Sequence, residues 1–377
     1  MAVEFRYARA EEYPAISKFV NDNWAENHIY VRARALFEWT FQRPGYWQDG
    51  GASIAIAEEN SQLVGILGGI PFTLNHFGQL SNAVWIVNYI VREDYRKGTT
   101  ALRLLSQFRK PRFDSTIAFG INPSTSAIYR VLRGEVVDKM PRHILFVPGT
   151  DARVQRMLTL LGPEWTSDST RSLAATFETA NRVRQSGTVG REIPKHWDEH
   201  DWPEWANRTI GAVRDSNYLR WRYIDHPAFR YRILTIRDGW RTGLLVWRLE
   251  KIQARTEAGR QEIERFGRVV EFLPASPANA EELVSALIRE LNEACAMGAD
   301  FYTFHGEIRR LLTDCGFRDA DLHPQGTLFP GRFQPLDTKG GGIMSAMFLP
   351  PDLPKCCSEP GCPWYWTKSD SDQDRPN

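Results

Sequence analysis

The chain has 377 residues, 42% of them hydrophobic, and its 47 basic residues nearly balance 46 acidic ones. That length exceeds one ordinary core and predicts two domains, while the lack of a basic excess argues against nucleic acid as a partner. No stretch approaches the apolar length needed to span a membrane. The start, MAVEFRYARAEEYPAI, runs into a strand and an amphipathic helix without a signal-peptide apolar region, so a cytoplasmic location is expected. Five cysteines, an odd number, argue against a secreted disulfide framework. Cys356, Cys357 and Cys362 cluster but lack a second pair at ligand spacing, and no metal site is expected.

In chain order, Val3 to Tyr7 reads as an opening strand, and Glu11 to Trp24 and Ala33 to Phe41 as helices. Ser53 to Glu58 and Leu63 to Asn75 form a hairpin turning at Glu59-Asn60-Ser61. From Val84 the chain reads VWIVNYIV, REDYRKGTTA, LRLL: a buried strand, a basic turn around Gly98, and a helix start. Backbone N–H groups at such a start, beside Arg96, Lys97, Thr99 and Thr100, suit an anion such as the phosphate of a cofactor. Ser115 to Ile121 reads as the next strand, and Asn122-Pro123-Ser124 opens a helix carrying Tyr129, closed by Gly134.

From about Val147 to Arg214 the composition turns charged and Gly-interrupted, predicting a helix, a strand near Ser172 to Phe177 and a connector. The plan then repeats: a helix with SNYLRWRY, strands Tyr231 to Ile236, Thr242 to Glu250 and Phe266 to Leu273, a helix Ala278 to Met297, a strand Phe301 to His305 and a helix Ile308 to Cys315. After Leu273 the turn is Pro274-Ala275-Ser276-Pro277, with neither glycine nor base, so close approach of backbone to a pyrophosphate is unexpected there. The expected fold is α/β (α+β), with two domains, each a mixed central sheet flanked by helices: 1–150, then a connector 151–214, a second domain 215–350 and a tail 351–377. The tail from Lys368 to Asn377 has the composition of a disordered end.

The order strand, basic turn, helix, strand, Asn, helix with a central Tyr, over Val84 to Val137, resembles the acyl-CoA-binding half of the GNAT superfamily of N-acyltransferases. Tyr95 and Thr100 depart from the family loop. WRYIDHP, the Trp24 and His28 pair, the doubled layout and the ending WYWTKSDSDQDRPN resemble tandem-GNAT proteins of bacterial surface-polysaccharide (lipopolysaccharide O-antigen) genes, some of which acetylate nucleotide-linked amino sugars such as dTDP-4-amino-4,6-dideoxyglucose. The resemblance implies acetyl-CoA as co-substrate, bound along Ile90, Val91, Arg96, Lys97, Gly98, Thr99, Thr100 and Asn122. It also implies that the tail docks near the site.

Amide formation from a thioester needs a neutral amine, a proton acceptor, donors for the oxyanion and an acid for the thiolate. Backbone of the Asn88 to Val91 strand suits the oxyanion and Tyr129 the acid; Glu271, bracketed by Val270 and Phe272, suits the base, with His28, His305 and Asp225 as competitors. Trp24, Asn88, Arg220, Arg222, Asp225, His305, Asp372 and Asp374 are the candidate acceptor contacts, arginines for a diphosphate and Asp372 or Asp374 for an ammonium. Core packing competes for Trp221, Tyr223 and the histidines. Acyl transfer to an amino acid or peptidyl amine, and a non-catalytic CoA- or sugar-nucleotide-binding module, are the alternatives. Monomer and homodimer both remain open.

Overall fold

Two mixed sheets carry the chain, and each contains one strand that belongs in sequence to the other half. The computed structural model describes residues 3–43, 47, 51–109, 111–161, 167–178, 188–255, 261–333, 336–337 and 342–375. In the first sheet Glu4–Arg9, Gly51–Glu59, Gln62–His76, Gln79–Val91 and Ser115–Phe119 lie in that order, followed by Ser345–Phe348 and then Glu135–Val137. In the second sheet the order is Arg318–Asp319, Arg142–Phe146, Gly298–Tyr302, Gln261–Leu273, Arg241–Arg255, Arg232–Asp238 and Val189–Gly190. Arg142–Phe146 therefore pairs antiparallel with Gly298–Tyr302, while Ser345–Phe348 pairs antiparallel with Ser115–Phe119. The sheets do not divide at the 151–214 connector: the halves exchange one strand in each direction across it.

Local chemistry explains most elements. The Asn60-Ser61 turn has positive φ at both residues, +51° and +61°, as a two-residue hairpin matched to strand twist requires. Asn122 accepts from the Thr125 backbone N–H at 2.8 Å with Pro123 at the first helical position, fixing where Pro123–Val131 begins. Ser276 caps Pro277–Glu293 in the same way through Asn279 N–H. The segment read as a strand near Ser172 to Phe177 is instead part of the helix Ser167–Phe177. Its buried Thr170, Leu173, Ala174 and Phe177 recur at three- and four-residue steps, a helical period that a short apolar run conceals.

Each sheet carries a bulge on the strand that precedes its parallel crossover. Ile66 faces Ile90 and Gly68 faces Val87, so Leu67 opposes both Asn88 and Tyr89, and Asn88 takes a φ of +51°. Likewise Val246 faces Glu271 and Trp247 faces Val269, which leaves Val270 as the extra residue. Beyond each bulge the parallel strands part. Gln79–Val91 pairs with Ser115–Phe119 only over Ala83 to Trp85, and Gln261–Leu273 pairs with Gly298–Tyr302 only at Gly267 and Arg268.

The C-terminal segment closes the second of these gaps. Trp364 and Trp366 are fully buried, Thr367 bridges to Thr303, and the Tyr365 hydroxyl accepts from Phe272 N–H at 2.9 Å and donates to Glu271 at 2.8 Å. Contrary to its composition, the tail is ordered as far as Arg375; Pro376 and Asn377 lie outside the described residues. Tandem tryptophans and tyrosine supply enough apolar area to offset the ordering of a polar end.

Because Arg142–Phe146 and Ser345–Phe348 are exchanged, a fragment of residues 1–150 would have an open sheet edge along Ser115–Phe119 and a stray strand. It is expected to aggregate or to lack near-UV circular dichroism. A soluble fragment with cooperative denaturant unfolding and dispersed amide resonances would show that the exchanged strands are not required.

Candidate active site in the open gap of the first sheet

The gap in the first sheet is a cavity of about 450 Å³. One wall is the bulged strand at Ile86, Val87, Asn88 and Tyr89; another is Ala118, Phe119, Gly120 and Ile121 with Asn122, Thr125 and Tyr129 of the next helix. The far side comes from the other half: Tyr302, Gly331, Arg332, Lys368, Asp372, Gln373 and Arg375, with Trp24 at the rim. Trp24 is 58% exposed, an unusual state for the largest apolar side chain and one suited to stacking on a guest. Gly120 has φ +71°, a backbone conformation that favours glycine, and a Cβ there would meet the Gln373 amide at 2.5 Å and push that side chain aside.

Tyr129 is only 4% exposed, and burial pushes its hydroxyl above the ordinary tyrosine value. Tyr89 lies near it and donates to the carbonyl of Ala101. Both phenols stay protonated near neutral pH, as a proton donor must. The Asn88 bulge interrupts the ladder to Gln62–His76 where the parallel partner has already departed.

Ile90 and Val91 are buried in the sheet, and the Arg96-Lys97-Gly98-Thr99 turn is exposed where the bulged strand ends. These residues and Thr100 are not among the described residues that line the cavity. Arg96 donates to the carbonyl of Val91 at 2.9 Å, and Thr99 provides no side-chain cap to the helix Thr100–Ser106. A Cβ at Gly98 would meet only Tyr95 O at 3.7 Å, so the turn tolerates a side chain sterically.

Several sequence candidates sit elsewhere for identifiable reasons. Glu271 is fully buried away from the cavity, bound by Arg214 at 2.7 Å, Tyr223 at 2.6 Å and Tyr365 at 2.8 Å. Burial raises its pKa as expected, but it does not line the cavity and it serves the plug instead. Asp374 is clasped by Arg248 and accepts from Tyr231 at 2.7 Å; Arg222 is buried and donates to Ser369 O at 2.9 Å. Both are interior anchors of the tail rather than surfaces for an ammonium or a diphosphate. Arg220 and Asp225 are exposed outside the cavity.

His305 caps Gly306–Asp314, accepting from Ile308 N–H at 3.4 Å, and burial pushes it down to about 3. His28 caps Ile29–Arg32, and burial with the nearby Arg375 pushes it down to about 4. The WRYIDHP segment packs between the halves: Trp221 stacks on Trp39 at 4.6 Å, and His226 abuts Trp39. Of the sequence candidates, the cavity thus gathers Trp24, Asn88, Asn122, Tyr129 and Asp372, and adds Tyr302, Arg332, Lys368 and Gln373. Lys368 had no signal in the sequence, standing in a polar end with no periodic pattern.

No protein-family model matches the sequence, and neither does any curated protein. Solved structures do match. Saccharomyces cerevisiae N-myristoyltransferase with bound myristoyl-CoA aligns over 97% of this chain and 84% of its own, with TM-score 0.56 and 11% identity. A GCN5-related N-acetyltransferase from Anabaena variabilis aligns over 92% and 72%, with TM-score 0.51 and 10% identity. A probable N-acyltransferase from Enterococcus faecalis gives the same coverage and TM-score at 11% identity. The fold is that of GNAT-type N-acyltransferases, and the likeness runs through both sheets.

Asp374 tests the anchoring. Burial opposes its charge, yet Arg248 holds its carboxyl below the ordinary aspartate range. A depressed acid contributes stability at pH above its unfolded value, and that contribution is lost as pH falls through the folded value. Arg248→Met should cost about 3–5 kcal/mol near neutral pH by stranding a buried carboxylate. The deficit against wild type should shrink as denaturant unfolding is repeated at lower pH, where the stranded acid protonates. An unchanged midpoint at pH 7 would contradict this.

Proposed function

We propose that this protein is an acyl-CoA-dependent N-acyltransferase whose single donor site is the open gap of the first sheet. The observation that carries the reading is the asymmetry of the two gaps: one is a cavity flanked by a bulge and a buried tyrosine, the other is filled by Trp364 to Ser369. Parted strands leave backbone N–H groups unpaired, where a pantetheine chain can pair with them as a pseudo-strand. The Asn88-Tyr89 backbone serves the thioester oxyanion, Tyr129 protonates the departing thiolate, and the Arg96 to Thr100 turn, exposed over Arg96 to Thr99, takes the diphosphate. Myristoyl-CoA in the yeast neighbour supports an acyl-CoA in this one.

The acyl group is short. Behind Asn88 lies an apolar hollow lined by Ile16, Val20, Tyr30, Phe37 and Phe41 with only about 10 Å³ of room, roughly one water-sized group. An acetyl methyl is about that size, whereas a long chain would have to displace these rings.

For the acceptor, the sequence resemblance implies the amine of a nucleotide-linked sugar such as dTDP-4-amino-4,6-dideoxyglucose, and the cavity wall carries groups suited to one. Trp24 offers a stacking face at the rim, and Arg332 and Arg375 bring cations to the same wall. Calorimetry should show acetyl-CoA binding, and mass spectrometry of a panel of nucleotide-linked amino sugars should show a product heavier by one acetyl group. Absence of acetyl-CoA binding would overturn the donor assignment; acetylation of amino acids or peptides alone would replace the acceptor.

Tyr129→Phe should lower kcat by roughly 10² or more with little change in KM for acetyl-CoA, as for an interaction made mainly in the transition state. A near-wild-type kcat would leave Tyr129 as packing between its helix and Phe348, whose ring lies 5.9 Å away.

A further inference from the structure

The cavity wall contributed by the second half holds a lysine that the reaction as outlined leaves unused. Lys368 lines the cavity although it is only 7% exposed. Its Nζ donates to the carbonyl of Gly331 at 2.6 Å and lies 4.8 Å from the centroid of the Tyr302 ring. Around it, Arg142 and Arg268 both bind Asp300, Arg268 also contacts Glu250, and Arg248 joins Glu250 to Asp374. Three guanidiniums therefore already match three carboxylates. Arginine does not give up its proton in a protein. A proton on Lys368 would be the charge without a counterpart.

We infer that Lys368 is held as a neutral amine and is the base that deprotonates the acceptor. This rests on the donor site proposed above. The alternatives along the wall are few. Tyr89, Tyr129 and Tyr302 are phenols that burial pushes up, Tyr302 to about 12, so they are spent as acceptors near neutral pH. Arg332 and Arg375 are cations. Asp372 is committed to an ion pair with Arg375 and accepts from Gln373 at 3.1 Å. Desolvation and the charge of Arg268, with Arg142 adding to it, lower Lys368 well below an ordinary lysine against the opposing pull of Asp300 and Glu250. A neutral Nζ carries the lone pair that can take the proton of an ammonium substrate.

The acceptor arrives as R–NH3⁺ and passes one proton to Nζ, which becomes an ammonium. The freed lone pair forms the C–N bond at the thioester carbonyl. The tetrahedral intermediate expels the thiolate as the C–S bond breaks and Tyr129 gives sulfur its proton; the second amine proton leaves nitrogen for water in the cavity, and water returns a proton to the Tyr129 phenolate. Lys368 then returns its proton to water through the cavity.

Competitive labelling with trace acetic anhydride, read by peptide mass spectrometry against an added lysine peptide, measures the charge state without any acceptor. Reactivity at Lys368 should level off at lower pH than the standard and should fall several-fold when acetyl-CoA is present. With dTDP-4-amino-4,6-dideoxyglucose as probe, Lys368→Met should lower kcat by about 10²-fold or more with unchanged acetyl-CoA affinity. Lys368→Arg, which keeps the length but carries a permanent positive charge and never deprotonates, should be as inactive. Lys368→His should recover part of the rate, with the acidic limb of the pH profile moved. Titration of Lys368 together with the standard overturns the inference, as does full activity of the Arg variant. A neutral Lys368 in a protein that binds no acetyl-CoA overturns instead the donor site on which the base role depends.

Discussion

Arg214 is the residue on which this architecture turns. Its guanidinium is fully enclosed, binding Glu271 through Nε at 2.7 Å and Asp370 at 2.8 Å through both carboxylate oxygens, and it also donates to Ala212 O at 2.9 Å. Those partners come from a central strand of the second sheet, from the C-terminal segment, and from the Ile210–Ala212 strand that pairs with the first sheet. An ion triad of this kind adds little net stability over apolar packing, but loss of Arg214 would leave two buried carboxylates without a cation. It therefore favours the one arrangement in which the tail lies in the second gap. Tyr223 and Tyr365 extend the same network, so the plug is defined by directional bonds as well as by its tryptophans.

That arrangement gives the doubled fold two different outcomes from one plan. Both halves build a bulge and a parting of parallel strands, because both repeat the same order of strands and helices. In the second half the space is occupied from within the chain. In the first it stays open, and the segment that fills the second gap continues into the wall of the first, bringing Lys368, Asp372 and Gln373 with it. Binding chemistry and packing chemistry are thereby linked through a dozen residues of one segment.

The fold was largely legible in the sequence because its signals are local. Hairpin turns, the Asn122-Pro123 and Ser276-Pro277 helix starts and the alternation of strands act over a few residues, and the elements fall where these place them. Ser167–Phe177 was missed because six residues of an apolar face carry the same letters in strand and helix. The site was half legible. Asn88, Asn122 and Tyr129 follow from the strand-and-helix order, whereas Glu271, Arg222 and Asp374 have the residue types of catalysis and the surroundings of a buried scaffold. Only three-dimensional pairing distinguishes those uses. Lys368 could not be read at all, since its character comes from Arg142, Arg268, Glu250 and Asp300, which are distant in sequence.

The reciprocal exchange of Arg142–Phe146 and Ser345–Phe348 also bears on how the protein comes into being. A ribosome releases Ser115–Phe119 long before the strand that will cover its edge has been made, and Arg142–Phe146 waits equally for Gly298–Tyr302. The first sheet cannot be finished until Ser345–Phe348 has been made, nor the second until Gly298–Tyr302 and Arg318–Asp319 have, so the growing chain passes through a long interval with two apolar edges uncovered. The same topology ties the halves into one heritable unit. A recombination break between them severs both sheets at once, so the doubled architecture is inherited whole rather than traded by halves.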